Sequence, residues 1–201
     1  MTEPVVRLVM QDNVVQDLFD DFESAVRDEG IRVERIERPP GVFAALELFI
    51  PPAAILQVGA GVFALAFAKA AGKGVWTLME KAVTELAKRL LGPAGPQVEL
   101  VGTTGKLPRV SRYSHRFGVA AELAGGVSLR LVFAPGEDPG PAVTRFFELL
   151  AALHGPDRDT VTIAGDGGSG RHGLFVRYNA KTDELVLINP MDPSPQCAEE
   201  E

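Results

Sequence analysis

The opening stretch Val5-Val6-Arg7-Leu8-Val9-Met10 is apolar and rich in β-branched residues, bounded by Pro4 and by Gln11-Asp12-Asn13, and it predicts a buried or half-buried strand. From Val14 to Glu29 the apolar spacing changes to three and four. Val15, Leu18, Phe19, Phe22 and Val26 form one stripe of an amphipathic helix, with Asp12 or Asn13 placed to cap it and Gly30 to end it. Ile31-Arg32-Val33-Glu34 then alternates with period two, as a strand with one wet face does, and Pro39-Pro40-Gly41 closes a β-α-β unit.

The next pattern is an absence of charge. Leu48 to Ala68 is a run of 21 uncharged residues, interrupted only by Pro51-Pro52, Gln57, Gly59 and Gly61. The expectation here is an apolar helical hairpin. Its first helix starts at Pro51-Pro52, where the missing N–H has no helical partner, and runs through Ile55, Val58, Val62, Leu65 and Phe67 to about Ala71. Gly72-Lys73-Gly74 turns the chain. The second helix spans about Val75–Leu91, with Val75, Leu78, Met79, Ala82, Val83, Leu86 and Leu90 on one face and Lys81, Glu85 and Arg89 at i,i+4 spacing on the other. Gly92-Pro93 stops it.

After Gly92–Pro96 the pattern becomes β-rich, and this is the candidate boundary between a lobe at 1–92 and a lobe at 97–190, followed by a disordered acidic tail at 191–201. Gln97–Val101 reads as a short strand. Phe117–Leu123 and Val127–Phe133 read as a hairpin around Ala124-Gly125-Gly126. Residues 141–154 place Val143, Phe146, Phe147, Leu150 and Leu153 on one side of a helix; Thr160–Ala164 is a strand, and Leu174–Tyr178 with Glu184–Ile188 is a second hairpin. The fold class is α+β: a β-α-β unit plus an apolar helical hairpin, followed by an antiparallel sheet lobe with one covering helix.

Composition narrows the function classes. Hydrophobic residues make up 46% and charged residues 23%, the proportions of a chain that folds. A net charge of −7 gives no general attraction to polyphosphate, so nucleic acid is not an expected partner. The 20 cations are mostly arginine which, with the abundance of Ala, Gly, Pro and Val, suggests high-GC bacterial coding. The one cysteine, Cys197, lies in the acidic tail, which excludes an intrachain disulfide and a cysteine-based zinc cluster. Met1-Thr2-Glu3-Pro4 is unlike a secretory signal, and a cytoplasmic location is expected.

The motifs that resemble chemistry each lack a part. Gly165-Asp166-Gly167-Gly168-Ser169-Gly170 matches G-x-G-x-x-G but runs into the strand Leu174–Tyr178 where a dinucleotide site needs a helix N-terminus. His172 with Ile188-Asn189-Pro190 has the layout of a cysteine-protease base and its orienting residue, without a rigidly placed nucleophile. His115 and His154 have no metal-ligand spacing around them, and Asp17, Asp20, Asp21 and Glu23 read as a solvated helix face, not a calcium loop. Arg109, Arg112 and Arg116, near Tyr113, read as an exposed loop or a contact for an acidic partner. No catalytic, metal or cofactor-binding residue is therefore assigned, and no cofactor is expected.

The first 90 or so residues resemble the effector-associated constant component modules of bacterial conflict systems. The resemblance rests on layout: the strand Val5–Met10, the acidic amphipathic helix to Gly30, the strand from Ile31, the Pro39-Pro40 break and the Ala/Gly-rich apolar helix from Ala53. It implies an adaptor that couples a sensor or protease to an effector. The expected function is a non-enzymatic binding or regulatory protein acting on a protein partner or as a homo-oligomer, through Ile55, Val58, Ala60, Val62, Ala64, Leu65, Ala68 and Trp76. Ala60, Ala64 and Ala68 form a small-residue ridge that permits close helix approach. The alternative is a membrane-active effector, peripheral to lipid, that inserts the 48–68 segment.

Overall fold

The computed structural model describes residues 3–12, 14–38, 52–68, 72–93, 95–96, 113–123, 127–154, 161–165 and 173–189. Within them the fold is α+β. Strands β1 (Val5–Gln11), β2 (Arg32–Arg38), β3 (Ala54–Val58), β4 (Phe117–Glu122), β5 (Ser128–Val132), β6 (Ala164–Gly165), β7 (Leu174–Asn179) and β8 (Glu184–Ile188) form one mixed sheet in the order β2-β1-β3-β4-β5-β7-β8-β6. The helices are α1 (Asp20–Arg27), α2 (Ala60–Ala68), α3 (Gly72–Leu91) and α4 (Pro139–His154), and a 3-10 turn at Gln16–Phe19 leads into α1.

The β-α-β unit forms as its pattern predicts. β1 and β2 pair in parallel, and α1 crosses between them with Phe22 and Val26 buried. Gly30 closes α1 at φ 82, where its N–H bonds the Arg27 carbonyl while Ile31 N–H bonds that of Val26, a left-handed helix end that glycine enters without a Cβ clash. Two details differ. Val15 is 60% exposed and lies outside the buried stripe, and it, not Asp12, occupies the N-cap position before the 3-10 turn, with no side-chain cap; Asn13 lies outside the described residues.

The larger correction falls on the uncharged segment. Residues 54–58 are a central strand, not the start of a helix: β3 runs antiparallel to β1, with Leu8 opposite Leu56, and parallel to β4, with Leu56 opposite Val119. A short apolar run is compatible with either a core helix or a strand covered on both faces. Here β-branched Ile55 and Val58 favour extended backbone. Only after Gly59 does the chain turn into α2, of nine residues.

The β3/β4 pairing also replaces the two-lobe division. Strands from both halves share one sheet, and one core cluster draws on all four helices and on residues from Val6 to Leu185. Nor is the second half purely antiparallel, since β5 pairs with β7, and β6 with β8, in parallel. The hairpins at 117–133 and 174–188 form as expected, and α4 starts at Pro139 just after Asp138, whose Oδ1 accepts the Gly140 N–H at 3.1 Å. The expected strand at 97–101 and the tail at 191–201 lie outside the described residues; of the strand at 160–164, only Ala164 falls within β6.

The register assigns each side chain to a face. Val6, Leu8, Met10, Ala54, Leu56, Val58, Phe117, Val119, Ala121, Leu129, Leu131 and Val176 point to the helices and are all buried. The opposite face carries a smaller apolar cluster, Val132, Phe175 and Ile188 with Tyr113 and Val186 against it, beside a polar zone at Arg7, Gln57, Ser128 and Arg130.

Candidate functional site

The residues expected to form an apolar docking surface are distributed by the fold over three environments. Val58 and Val62 are core, at 2% and 1% exposure. Ile55 is half-buried on the sheet face away from the helices, Ala60 is exposed at the start of α2, and the side chains of Ala64, Leu65 and Ala68 lie outside the described residues. Trp76, half-buried on α3, packs against Phe63 with ring centroids 5.6 Å apart and edge-on to Phe147 at 5.1 Å, which ties α2, α3 and α4 together. Of the five expected residues whose side chains are described, two are thus interior, two half-buried and one exposed. A nine-residue α2 spans about 13 Å at about 1.5 Å per residue against a bilayer core of about 30 Å. Among the described residues no helix is long and apolar enough to cross a membrane.

The open apolar groove lies between α1 and α3. Leu18, Phe22 and Ala25 on one side and Leu78, Ala82 and Leu86 on the other line a cavity of about 380 Å³, with Asp21, Lys81, Glu85 and Arg89 on its rim. Arg89 crosses it to pair with Asp21 and also donates to the Leu18 carbonyl at 3.3 Å. The i,i+4 spacing predicts that Arg89 holds the exposed face of its own helix; instead it fastens α3 to α1.

The acidic helix is engaged with arginines. Glu23, 4% exposed at its side chain, accepts from Arg27 at 2.6 Å and from Arg35 on β2, while Asp20 accepts from Arg35 at 2.8 Å. The Glu23 hydrogen bond, ahead of the cost of burial, holds the Arg35 guanidinium above its ordinary pKa. The carboxylates read as a solvated face are in part a clasp between α1 and β2. Among the described residues no group of acids, histidines and cysteines has metal-site geometry.

The sheet face away from the helices holds a polar hollow of about 210 Å³, lined by Arg7, Gln57, Ala120, Glu122, Ser128 and Arg130 among others. Burial pushes the Arg130 guanidinium below its ordinary pKa. The same cause, followed by repulsion from Arg130, lowers Arg38. Arg130 lies over the Phe175 ring at 5.5 Å, and its Nε is 3.5 Å from Ser128 Oγ. Arg7 is held by Glu34 at 3.0 Å, and Arg38 donates to the Pro52 carbonyl.

Other expected contributors have different roles. Arg116 donates to the carbonyls of Gly92 at 2.7 Å and Leu91 at 3.3 Å and so caps α3 from the second half of the chain. His154 stacks on Phe63, and the His115 carbonyl accepts the Ala53 N–H at 2.6 Å. Asp166–Gly170, His172, Arg109, Arg112 and Cys197 lie outside the described residues. Sequence reasoning misses the Arg7/Gln57/Arg130 row because it assembles only once β1, β3, β4 and β5 are neighbours. The one available signal is an arginine alternating with Leu129 and Leu131 in a strand pattern. Comparison with protein-family models, with curated proteins and with solved structures finds no match to this chain.

Proposed function

We propose that this chain is a non-enzymatic binding protein of adaptor or regulatory type that associates through the groove between α1 and α3, in the first place with a second copy of itself. The observation that carries the reading is the groove: an open apolar floor of Leu18, Phe22, Leu78, Ala82 and Leu86 between two charged rims. A twofold contact needs a surface complementary to itself. Beyond the Asp21–Arg89 pair that bridges the groove, the α1 side carries Asp17 and Asp28 and the α3 side Lys81 and Lys88 beside Glu85, so antiparallel apposition of two copies sets each copy's α1 acids against the other's α3 lysines. An adaptor role is also what the resemblance of the first 90 residues implies. The site differs from the one expected in the sequence, because Val58 and Val62 of that expected surface are committed to the core.

Sedimentation velocity across a concentration series tests this. Wild type dimerises, and Ala82→Glu, at a half-buried groove position, is monomeric with an unchanged circular dichroism spectrum. A wild type that stays monomeric at every concentration, or an Ala82→Glu chain that dimerises as well as wild type, would overturn the reading.

A further inference from the structure

The hollow on the sheet face away from the helices is separate from the docking groove, and its construction follows from register. Arg7 on β1 lies opposite Gln57 on β3, Gln57 opposite Ala120 on β4, and Ala120 opposite Arg130 on β5. These four residues form one straight row across four adjacent strands, with an arginine at each end and an amide and a methyl between. At about 4.8 Å per strand the two arginine backbones are about 14 Å apart; Arg7 is tethered to Glu34 on β2, Arg130 lies over Phe175 on β7, and both line the hollow between them. The small Ala120 side chain, 4% exposed, leaves the space between them empty. Ser128 and Glu122, opposite each other in the neighbouring row, form one wall.

Arg130 is placed at a cost in solvation. The polar contact of Arg130 among the described residues is the Ser128 hydroxyl, with the Phe175 ring beneath, and Arg38 is near enough to repel it. A partly buried guanidinium that lines a hollow, with no described carboxylate bonding it, is poorly compensated by the protein itself, and an anion supplied from solution restores the balance. Arg7, 44% exposed at its side chain, bonds Glu34 through Nε and lines the hollow. The Glu122 carboxylate on the wall opposes an anion and sets an upper limit on affinity.

We propose that the Arg7/Gln57/Ser128/Arg130 hollow is a binding site for a small phosphoryl oxyanion. Two guanidinium forks, a primary amide and a hydroxyl supply donors from three strands, and planar forks match the oxygens of phosphate better than point charges do.

The test uses the full chain, labelled with nitrogen-15, titrated with sodium phosphate and with pyrophosphate at constant ionic strength, and with sodium acetate as the carboxylate comparison. Phosphate or pyrophosphate is expected to move amide resonances at Gln57, Ala120 and Ser128–Arg130 with millimolar or tighter affinity. Arg130→Gln is expected to weaken binding about tenfold or more, Arg130→Lys to weaken it less by keeping the charge without the fork, and Glu122→Gln to tighten it. Absence of localised shifts with either phosphate, equal affinity for acetate, or unchanged affinity in a folded Arg130→Gln and Arg130→Lys pair would overturn the assignment. Because the groove between α1 and α3 lies on the other side of the sheet, loss of self-association leaves this result untouched.

Discussion

The ring of Phe63 on α2 stacks on the imidazole of His154 at the end of α4, with centroids 4.0 Å apart and planes 15° from parallel. His154 Nδ1 lies 2.9 Å from the Leu150 carbonyl, so the Nδ1–H tautomer donates to it and the ring plane is fixed. Two residues 91 positions apart thus share one contact within a common core.

This contact predicts a single unfolding transition. Phe63→Ala, at 1% exposure, should cost about 3–5 kcal/mol, and a double-mutant cycle with His154→Ala should return a coupling of about 0.5–1.5 kcal/mol. Urea titrations followed by Trp76 fluorescence and by far-ultraviolet circular dichroism should coincide. Separate midpoints for the two signals would show that the halves unfold independently.

Two glutamate substitutions separate core from surface. Val62→Glu puts an unpaired carboxylate where the native side chain is 1% exposed, and a loss of about 3–5 kcal/mol is expected, enough to unfold a chain of ordinary stability. Ala82→Glu, at the groove, should lose about 1 kcal/mol or less. Thermal denaturation of the two proteins side by side checks the ranking, and equal melting temperatures would refute it.

The β7–β8 turn carries a clasp whose strength depends on pH. Asp183 accepts from Tyr178 at 2.7 Å and from Arg145 on α4 at 3.2 Å, and its carboxyl is held below its ordinary pKa first by Arg145 and then by Tyr178. A lowered folded value means stabilisation present above the unfolded carboxyl value and lost as pH falls through the folded one. Tyr178 is raised, chiefly by its hydrogen bond to Asp183, so its share is present below the ordinary phenol value and lost as pH rises through the raised one. Asp183 has φ 55, a conformation asparagine also accepts, so Asp183→Asn removes the charge with little backbone strain. Its melting temperature should fall below that of wild type at neutral pH and converge with it in strong acid.

Gly173→Ala should destabilise for two independent reasons. Its φ of 92 is costly for any residue with a Cβ, and the added carbon would lie 2.2 Å from the Ser128 carbonyl oxygen. A loss of about 2 kcal/mol or more in urea unfolding is expected. The strain acts on β5 beside Arg130, so phosphate affinity should fall in the same variant.

Much of the architecture is legible in the sequence because its periodicities are strong and local. The stripe Val143, Phe146, Phe147 and Leu150 yields α4, and the alternations around 117–133 and 174–188 yield two hairpins. The segment 54–58 reads as a helix because Ala-Ile-Leu-Gln-Val is uncharged on both faces and has no period-two alternation of charge, and periodicity does not separate such a strand from a buried helix. The clasp of Glu23 with Arg35 and the row from Arg7 to Arg130 are beyond local pattern. Each depends on which strands become neighbours, a property of pairing across many residues.

The position of β3 also governs how the molecule can be assembled. Its partner on one side, β1, precedes it, but its partner on the other side begins at Phe117, after α2 and α3. A chain emerging during synthesis therefore holds, until β4 arrives, a half-built sheet whose growing edge is the open side of Ala54–Val58, with its N–H and C=O groups unpaired and Leu56 and Val58 beside them. That edge accepts any strand of suitable pattern, another copy's included, so intermolecular pairing competes with the slow long-range closure onto β4. Cutting the chain after Gly92 would make this intermediate permanent: the resulting fragment would end as a sticky sheet margin, and aggregation would be its characteristic failure.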